Sequence, residues 1–129
     1  MQQGNNRKNG FTLIEVMIVV VIVGIIASFA VPSYVRYVRD SKRSEGQVAL
    51  MSLSTQLERC FTEGFSYVGA SCPTASVDSQ SGYYSLSISA AATSYTLTAE
   101  PNFQDSQCGD LTLTHTGSRG SSAGNACWK

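Results

Sequence analysis

Glu15 is an acid placed in an apolar setting. It stands within Phe11–Val31, a run of 21 residues interrupted only by Thr12, Glu15, Gly24 and Ser28. A carboxylate among aliphatic side chains is unfavourable unless a cation or hydrogen-bond donors meet it, so Glu15 calls for a partner. The other residues able to do chemistry are Cys60, Cys72, Cys108 and Cys127, the single His115, and Asp105 and Asp110 on either side of Cys108. The cysteine spacings of 12, 36 and 19 contain no C-x-x-C, and one histidine cannot build a multi-histidine centre, which argues against zinc. Four cysteines downstream of a hydrophobic segment read instead as two disulfides formed in an oxidising compartment. Three pairings are possible. Cys60–Cys72 and Cys108–Cys127 are preferred because each closes a short loop rich in Gly, Ser, Asn and Pro, and each contributes about 3 kcal/mol in the chain-entropy model. Asp105 and Asp110 are candidate calcium ligands without the ligand-spaced loop that such a site needs. His115, between two threonines, reads as an exposed residue at a strand end.

The elements that position these residues follow from periodicity. At about 1.5 Å per residue the run Phe11–Val31 is about 31 Å long, enough to cross the hydrocarbon core of a bilayer. Ser28-Phe29-Ala30 offers small residues for a secretory cleavage site, but that reading leaves Glu15 unexplained. Helical character is expected to continue past Pro32 to about Glu63. There Leu50, Leu53, Leu57 and Phe61 recur every three or four residues, and Gly64 is the expected stop. Gly24 and Pro32 are expected to break or bend this helix. From Tyr83 onward the period shortens to two: Tyr83–Ile88, Tyr95–Ala99 and Leu111–Thr114 read as three antiparallel strands with Ser and Thr facing outward. Gly64–Ser81 and Gly117–Cys127 are expected to be loops. The fold class is α+β: a long helix whose second half lies on a small antiparallel sheet.

Composition narrows the function. The full chain has nine basic and nine acidic residues; without Arg7 and Lys8 in the polar leader, seven basic residues face nine acidic ones. Such a balance gives no support to sequence-independent nucleic-acid binding, and no direct nucleic-acid site is evident. Arg119, Trp128 and Lys129 are too sparse to make a recognition patch, and Trp128 is expected to pack on the C-terminal disulfide. No G-x-S-x-G, P-loop, dinucleotide fingerprint or H-E-x-x-H occurs, so neither an enzyme nor a cofactor or metal is expected.

The string Gly10-Phe11-Thr12-Leu13-Ile14-Glu15, preceded by Arg7-Lys8-Asn9, resembles the processing site of type IV prepilins. The tail Cys108-Gly109-Asp110-Leu111-Thr112-Leu113, with Gly117 and Cys127-Trp128, is similar to that of minor, PilE-like members. The resemblance implies a leader, residues 1–10, removed by a prepilin peptidase that cuts after Gly10 and methylates Phe11. It further implies a membrane and filament-core helix over residues 11–32 and a globular head over residues 33–129. In such proteins Glu15 would neutralise the freed α-amine at Phe11 of a neighbouring subunit, and the stretch between Gly24 and Pro32 would lose helicity in the filament. The expected partners are other pilin subunits, the peptidase and methyltransferase, an inner-membrane assembly platform and, before assembly, lipid. The leader would lie in the cytoplasm and the head in the periplasm, then on an extracellular fibre serving adhesion, twitching motility or DNA uptake. Arg36, Arg39, Lys42 and Arg43 just beyond the span leave the charge rule for orientation balanced. A type II secretion pseudopilin and a tip-located binding module are the alternatives.

Overall fold

The computed structural model describes residues 9–128. Arg7, Lys8 and the rest of the expected leader before Asn9, together with Lys129, lie outside the described residues. Helix α1 spans Leu13–Gly64, and the chain forms two compact units, one ending at Tyr37 and one beginning at Val38. Helix α1 is continuous through Gly24 and Pro32. Pro32 removes a single backbone donor, and a helix already formed on both sides does not have to nucleate again to pass it.

In the second unit, α1 buries Arg43, Gly46, Gln47, Leu50, Leu53, Leu57 and Cys60, a stripe with helical spacing. It lies on an antiparallel sheet in which β1 (Val77–Asp78), β2 (Tyr84–Ala90), β3 (Tyr95–Pro101), β4 (Leu111–Thr114) and β5 (Arg119–Ser121) are neighbours in chain order. The register sets Leu86 opposite Ala99, Ala99 opposite Leu111 and Leu97 opposite Leu113, so apolar side chains form rows on the helix-facing side. Tyr84, Leu97, Ala99 and Leu111 are fully buried there, while Ser85, Thr96 and Thr98 are not. Two of the five strands lie where the sequence predicts loop. β1 is two residues long and β5 is Arg-Gly-Ser, so neither is long or apolar enough to show a period of two.

Helix α1 also ends differently from the glycine stop. Gly64 is its last residue, and the left-handed turn falls on Phe65, with φ of 54°, whose N–H bonds the Phe61 carbonyl at 2.7 Å. Two disulfides close the head: Cys60–Cys72 ties the helix end to the following loop, and Cys108–Cys127 ties the β3–β4 connection to the C-terminus. Gln47 Nε2 adds a 2.7 Å bond to the Cys127 carbonyl.

An ion pair fixes the helix to the sheet. Arg43 donates from Nε to Asp105 Oδ2 at 2.7 Å and from Nη2 to Asp105 Oδ1 at 2.6 Å, and Nη1 reaches Asp40 Oδ1 at 3.1 Å. Both members of the pair are buried, so each depends on the other for solvation. The hydrogen bonds from Arg43 hold the Asp105 carboxyl below the usual carboxylate range. Beside them the Tyr84 ring lies against Gly46, where an added Cβ would come within 2.7 Å of the ring. Among the described residues the buried Tyr84 hydroxyl has no hydrogen-bond partner, and burial pushes its pKa up to about 12.

These contacts predict three thermal-unfolding results. Tyr84→Phe should leave the midpoint unchanged or raise it, because it removes a hydroxyl that is buried without a partner. Gly46→Ala should lower stability by about 1–3 kcal/mol despite alanine's better helix propensity, since Tyr84 cannot move aside without loosening the core. Asp105→Asn should cost about 3 kcal/mol near neutral pH by leaving Arg43 unpaired. The carboxyl's folded pKa is depressed, so its contribution is complete above about pH 4 and is lost as pH falls through that lower value. Below that range the variant and the parent should converge, and a gap that persisted in acid would overturn the assignment.

Candidate functional site

The expected site residues Gly10, Phe11 and Glu15 fall at the start of the first unit. Residues 9–12 are not helical, and Phe11 is 88% exposed. The Gly10–Phe11 peptide bond therefore lies just ahead of α1, in non-helical backbone. Among the described residues, nothing approaches within 4 Å of a Cβ built on Gly10.

Thr12 and Glu15 form a reciprocal cap at the head of α1. Glu15 Oε2 accepts from the Thr12 N–H at 2.8 Å and from Thr12 Oγ1 at 2.9 Å, while the Glu15 N–H donates to Thr12 Oγ1 at 3.3 Å. This is the capping-box arrangement, which satisfies donors that the first helical turn would leave unpaired. It also places a negative charge at the positive end of the helix dipole. Its signature, Thr-x-x-Glu ahead of an apolar run, was legible in the sequence, but the reading that looked for a partner in another subunit missed it. Both acceptor bonds fall on Oε2. Among the described residues, Oε1 has no hydrogen bond and can receive a further donor.

Beyond the cap, every large apolar side chain from Phe11 to Val35 is between 49% and 88% exposed. The most apolar 18-residue window of α1 has a mean hydropathy of 2.9. A continuous apolar surface of this length is far larger than the scattered exposed residues of a water-soluble protein. Lipid or other helices must cover it. Gly24 has open space around it, so no contact among the described residues requires a residue without a side chain there.

The remaining candidates take structural places. Asp105, weighed as a calcium ligand with Asp110, has both oxygens engaged by Arg43 and serves as that residue's counter-ion. His115 is exposed just after β4, its ring 6.2 Å from that of Tyr95. Trp128 packs against the core that contains Cys108 and Cys127, donates from Nε1 to the Gly120 carbonyl at 2.7 Å, and carries Arg119 over its ring. Lys42 lies over Tyr83 and Phe103. Arg43 and Tyr84, which organise the head, were not singled out by sequence. An arginine in a basic run gives no sign of burial, and its partner Asp105 lies 62 positions away.

Comparison with known proteins accounts for both parts. A model of the prokaryotic N-terminal methylation motif matches residues 5–31, and one described as type IV minor pilin ComP, DNA uptake sequence receptor, matches residues 32–112. The type IV major pilin protein PilA of Myxococcus xanthus is 38% identical over 88 residues, covering 68% of this chain and 40% of PilA. A fimbrial protein of Moraxella nonliquefaciens is 42% identical over 65 residues, 46% of this chain and 42% of that protein. The chain thus spans about two fifths of the length of these relatives. A type IV pilin structure from Shewanella oneidensis superposes with a TM-score of 0.53 at 29% identity, covering 70% of this chain and 97% of that one. A match to the N-terminal methylation motif, an uncovered apolar helix and a disulfide-closed head on the pilin fold meet in one molecule, and this chain belongs to the type IV pilins, in the family described as type IV minor pilin ComP, DNA uptake sequence receptor.

Proposed function

We propose that this chain is a minor subunit of a type IV pilus. It is inserted in the inner membrane with its head in the periplasm, cut after Gly10, methylated on Phe11, and drawn into a fibre through the helix that begins at Leu13. The observation that carries this reading is the uncovered apolar surface of Phe11–Val35 with a half-used carboxylate at its start. Cleavage would place a free α-amine one residue before Thr12. Glu15 could then keep its cap on Oε2 while Oε1 receives the α-amine of a neighbouring subunit, so that capping and axial register are set by one side chain. Prepilin peptidase, an assembly platform and other pilins are the partners this requires. Gly24 and Pro32, continuous with α1 in the single subunit, would be where the helix loosens once lateral packing holds its two sides.

A second reading, direct DNA contact by the head, is favoured by the family match alone. The charges weigh against it. Arg43 is buried in an ion pair, Lys42 lies over two aromatic rings, and Arg119 lies over Trp128. DNA uptake is better assigned to the fibre than to this surface.

Fibres sheared from cells should yield a peptide that begins at N-methylated Phe11, in amounts well below those of the main subunit; an abundant peptide would make this the major pilin, and none would remove the pilus reading. Glu15→Gln separates the two roles of that residue, because glutamine preserves the capping box but not the charge. The variant should be processed normally yet reach fibres about tenfold less or lower, as expected for losing one opposite charge beside an ionised amine. Incorporation at the parental level would mean that the cap is its whole role.

A further inference from the structure

Among the described residues of the first unit, Glu15 and Arg36 alone carry charged side chains. Arg36 stands 21 positions beyond Glu15, about 31 Å of helix at 1.5 Å per residue, which matches a bilayer hydrocarbon core of about 30 Å. A charge therefore marks each end of the span. The two are met differently. Glu15 accepts from the N–H and the hydroxyl of Thr12 in its own turn. Arg36 is exposed, and among the described residues it has neither a side-chain hydrogen bond nor an ion pair. Asp40, the next acid in the sequence, accepts from Arg43 Nη1 at 3.1 Å. A guanidinium offers five donors in a planar fork, and phosphate oxygens match them where no carboxylate does.

Aromatic residues mark the same level. From Phe11 to Tyr37 the sequence holds no tryptophan and only two tyrosines, Tyr34 and Tyr37, and these are 68% and 73% exposed. A tyrosine ring is favoured where hydrocarbon gives way to headgroups, because its body is apolar and its hydroxyl seeks a polar partner. Tyr34, Arg36 and Tyr37 fall within three positions, about 4.5 Å along the helix axis, so a single headgroup layer can meet all three.

We propose that Tyr34, Arg36 and Tyr37 bind an anionic phospholipid with a glycerol-type headgroup, at the opposite end of the span from Glu15. The inference rests on the membrane-inserted subunit proposed above and names the lipid that this subunit selects. Charge complementarity decides the class. A zwitterionic headgroup brings an ammonium beside its phosphate, and the first unit has no acid at this end to receive it. An anionic headgroup brings the phosphate alone, which Arg36 attracts, while the two phenols can bond the glycerol hydroxyls. The contact fixes the depth of the helix in the bilayer until extraction into the fibre breaks it.

The test uses the full-length chain in nanodiscs of phosphatidylethanolamine with a minority of phosphatidylglycerol. Lipids that stay bound when the discs are opened in mild detergent are identified by native mass spectrometry. The parent should retain phosphatidylglycerol about fivefold above its share of the bilayer, the factor that one cation contributes at an anionic surface. Arg36→Gln should fall to the bilayer ratio, and Arg36→Lys should recover most of the preference. Arg59→Gln, which removes one positive charge from the head instead, should match the parent. Retention at the bilayer ratio by the parent overturns the proposal, as does a preference kept by Arg36→Gln or lost equally in Arg59→Gln. A parent that inserts but shows no preference leaves the pilus reading standing, whereas one that never enters the discs removes that reading and the lipid site together.

Discussion

An apolar surface that its own chain does not cover sets the terms for everything else in this molecule. The hydrophobic effect acts on α1 along its whole length, but the two halves meet it differently. Past Val38, Leu50, Leu53 and Leu57 are covered by the sheet, and burial of that face is what allows so small a head to fold. Before Tyr37 the side chains are as apolar and stay bare. The second half of the helix answers to intramolecular packing, while the first half needs a solvent other than water.

That division explains the distribution of polar chemistry. In the head, apart from the Tyr84 hydroxyl, polar groups are paired across long sequence separations: Arg43 with Asp105, Gln47 with the Cys127 carbonyl, and Tyr95 with Glu58. In the apolar half, polar bonds are local, such as Thr12 with Glu15 and Ser28 Oγ with the Ile25 carbonyl. Local pairing is what a lone helix needs in lipid, where backbone and side-chain donors find no water. Long-range pairing fixes one arrangement of helix on sheet.

The sequence was informative where one interaction dominates a stretch of chain. The apolar run from Phe11, the Leu50–Leu53–Leu57 stripe and the alternation at Tyr95–Ala99 each follow from burial repeated at a fixed period, and the α+β architecture follows from them. Strands β1 and β5 escaped because two or three residues, one of them Gly120, are held by neighbours already in place and carry no pattern of their own. The left-handed turn fell on Phe65 and not on Gly64 because helix termination depends on which carbonyl the next N–H reaches, which residue type alone does not decide. Near the start of α1, Glu15 stood out as an acid in an apolar run, while Gly10 and Phe11 were marked by the likeness of their string to a prepilin processing site. The local bond between Glu15 and Thr12 was overlooked, and the Arg43–Asp105 pair was beyond reach because nothing in one sequence links positions so far apart.

The position of that pair has a mechanical meaning. Arg43 and Gln47 are buried polar side chains near the start of the stretch of α1 that the rest of the head grips, through Asp105 and the Cys127 carbonyl. Asp105 lies three residues before Cys108, whose bridge to Cys127 joins the two gripping points covalently. A pull transmitted along the helix backbone would enter the head at these clamps and spread into a cross-linked ring before it reached the sheet, so the leucine core would be among the last parts to feel the load.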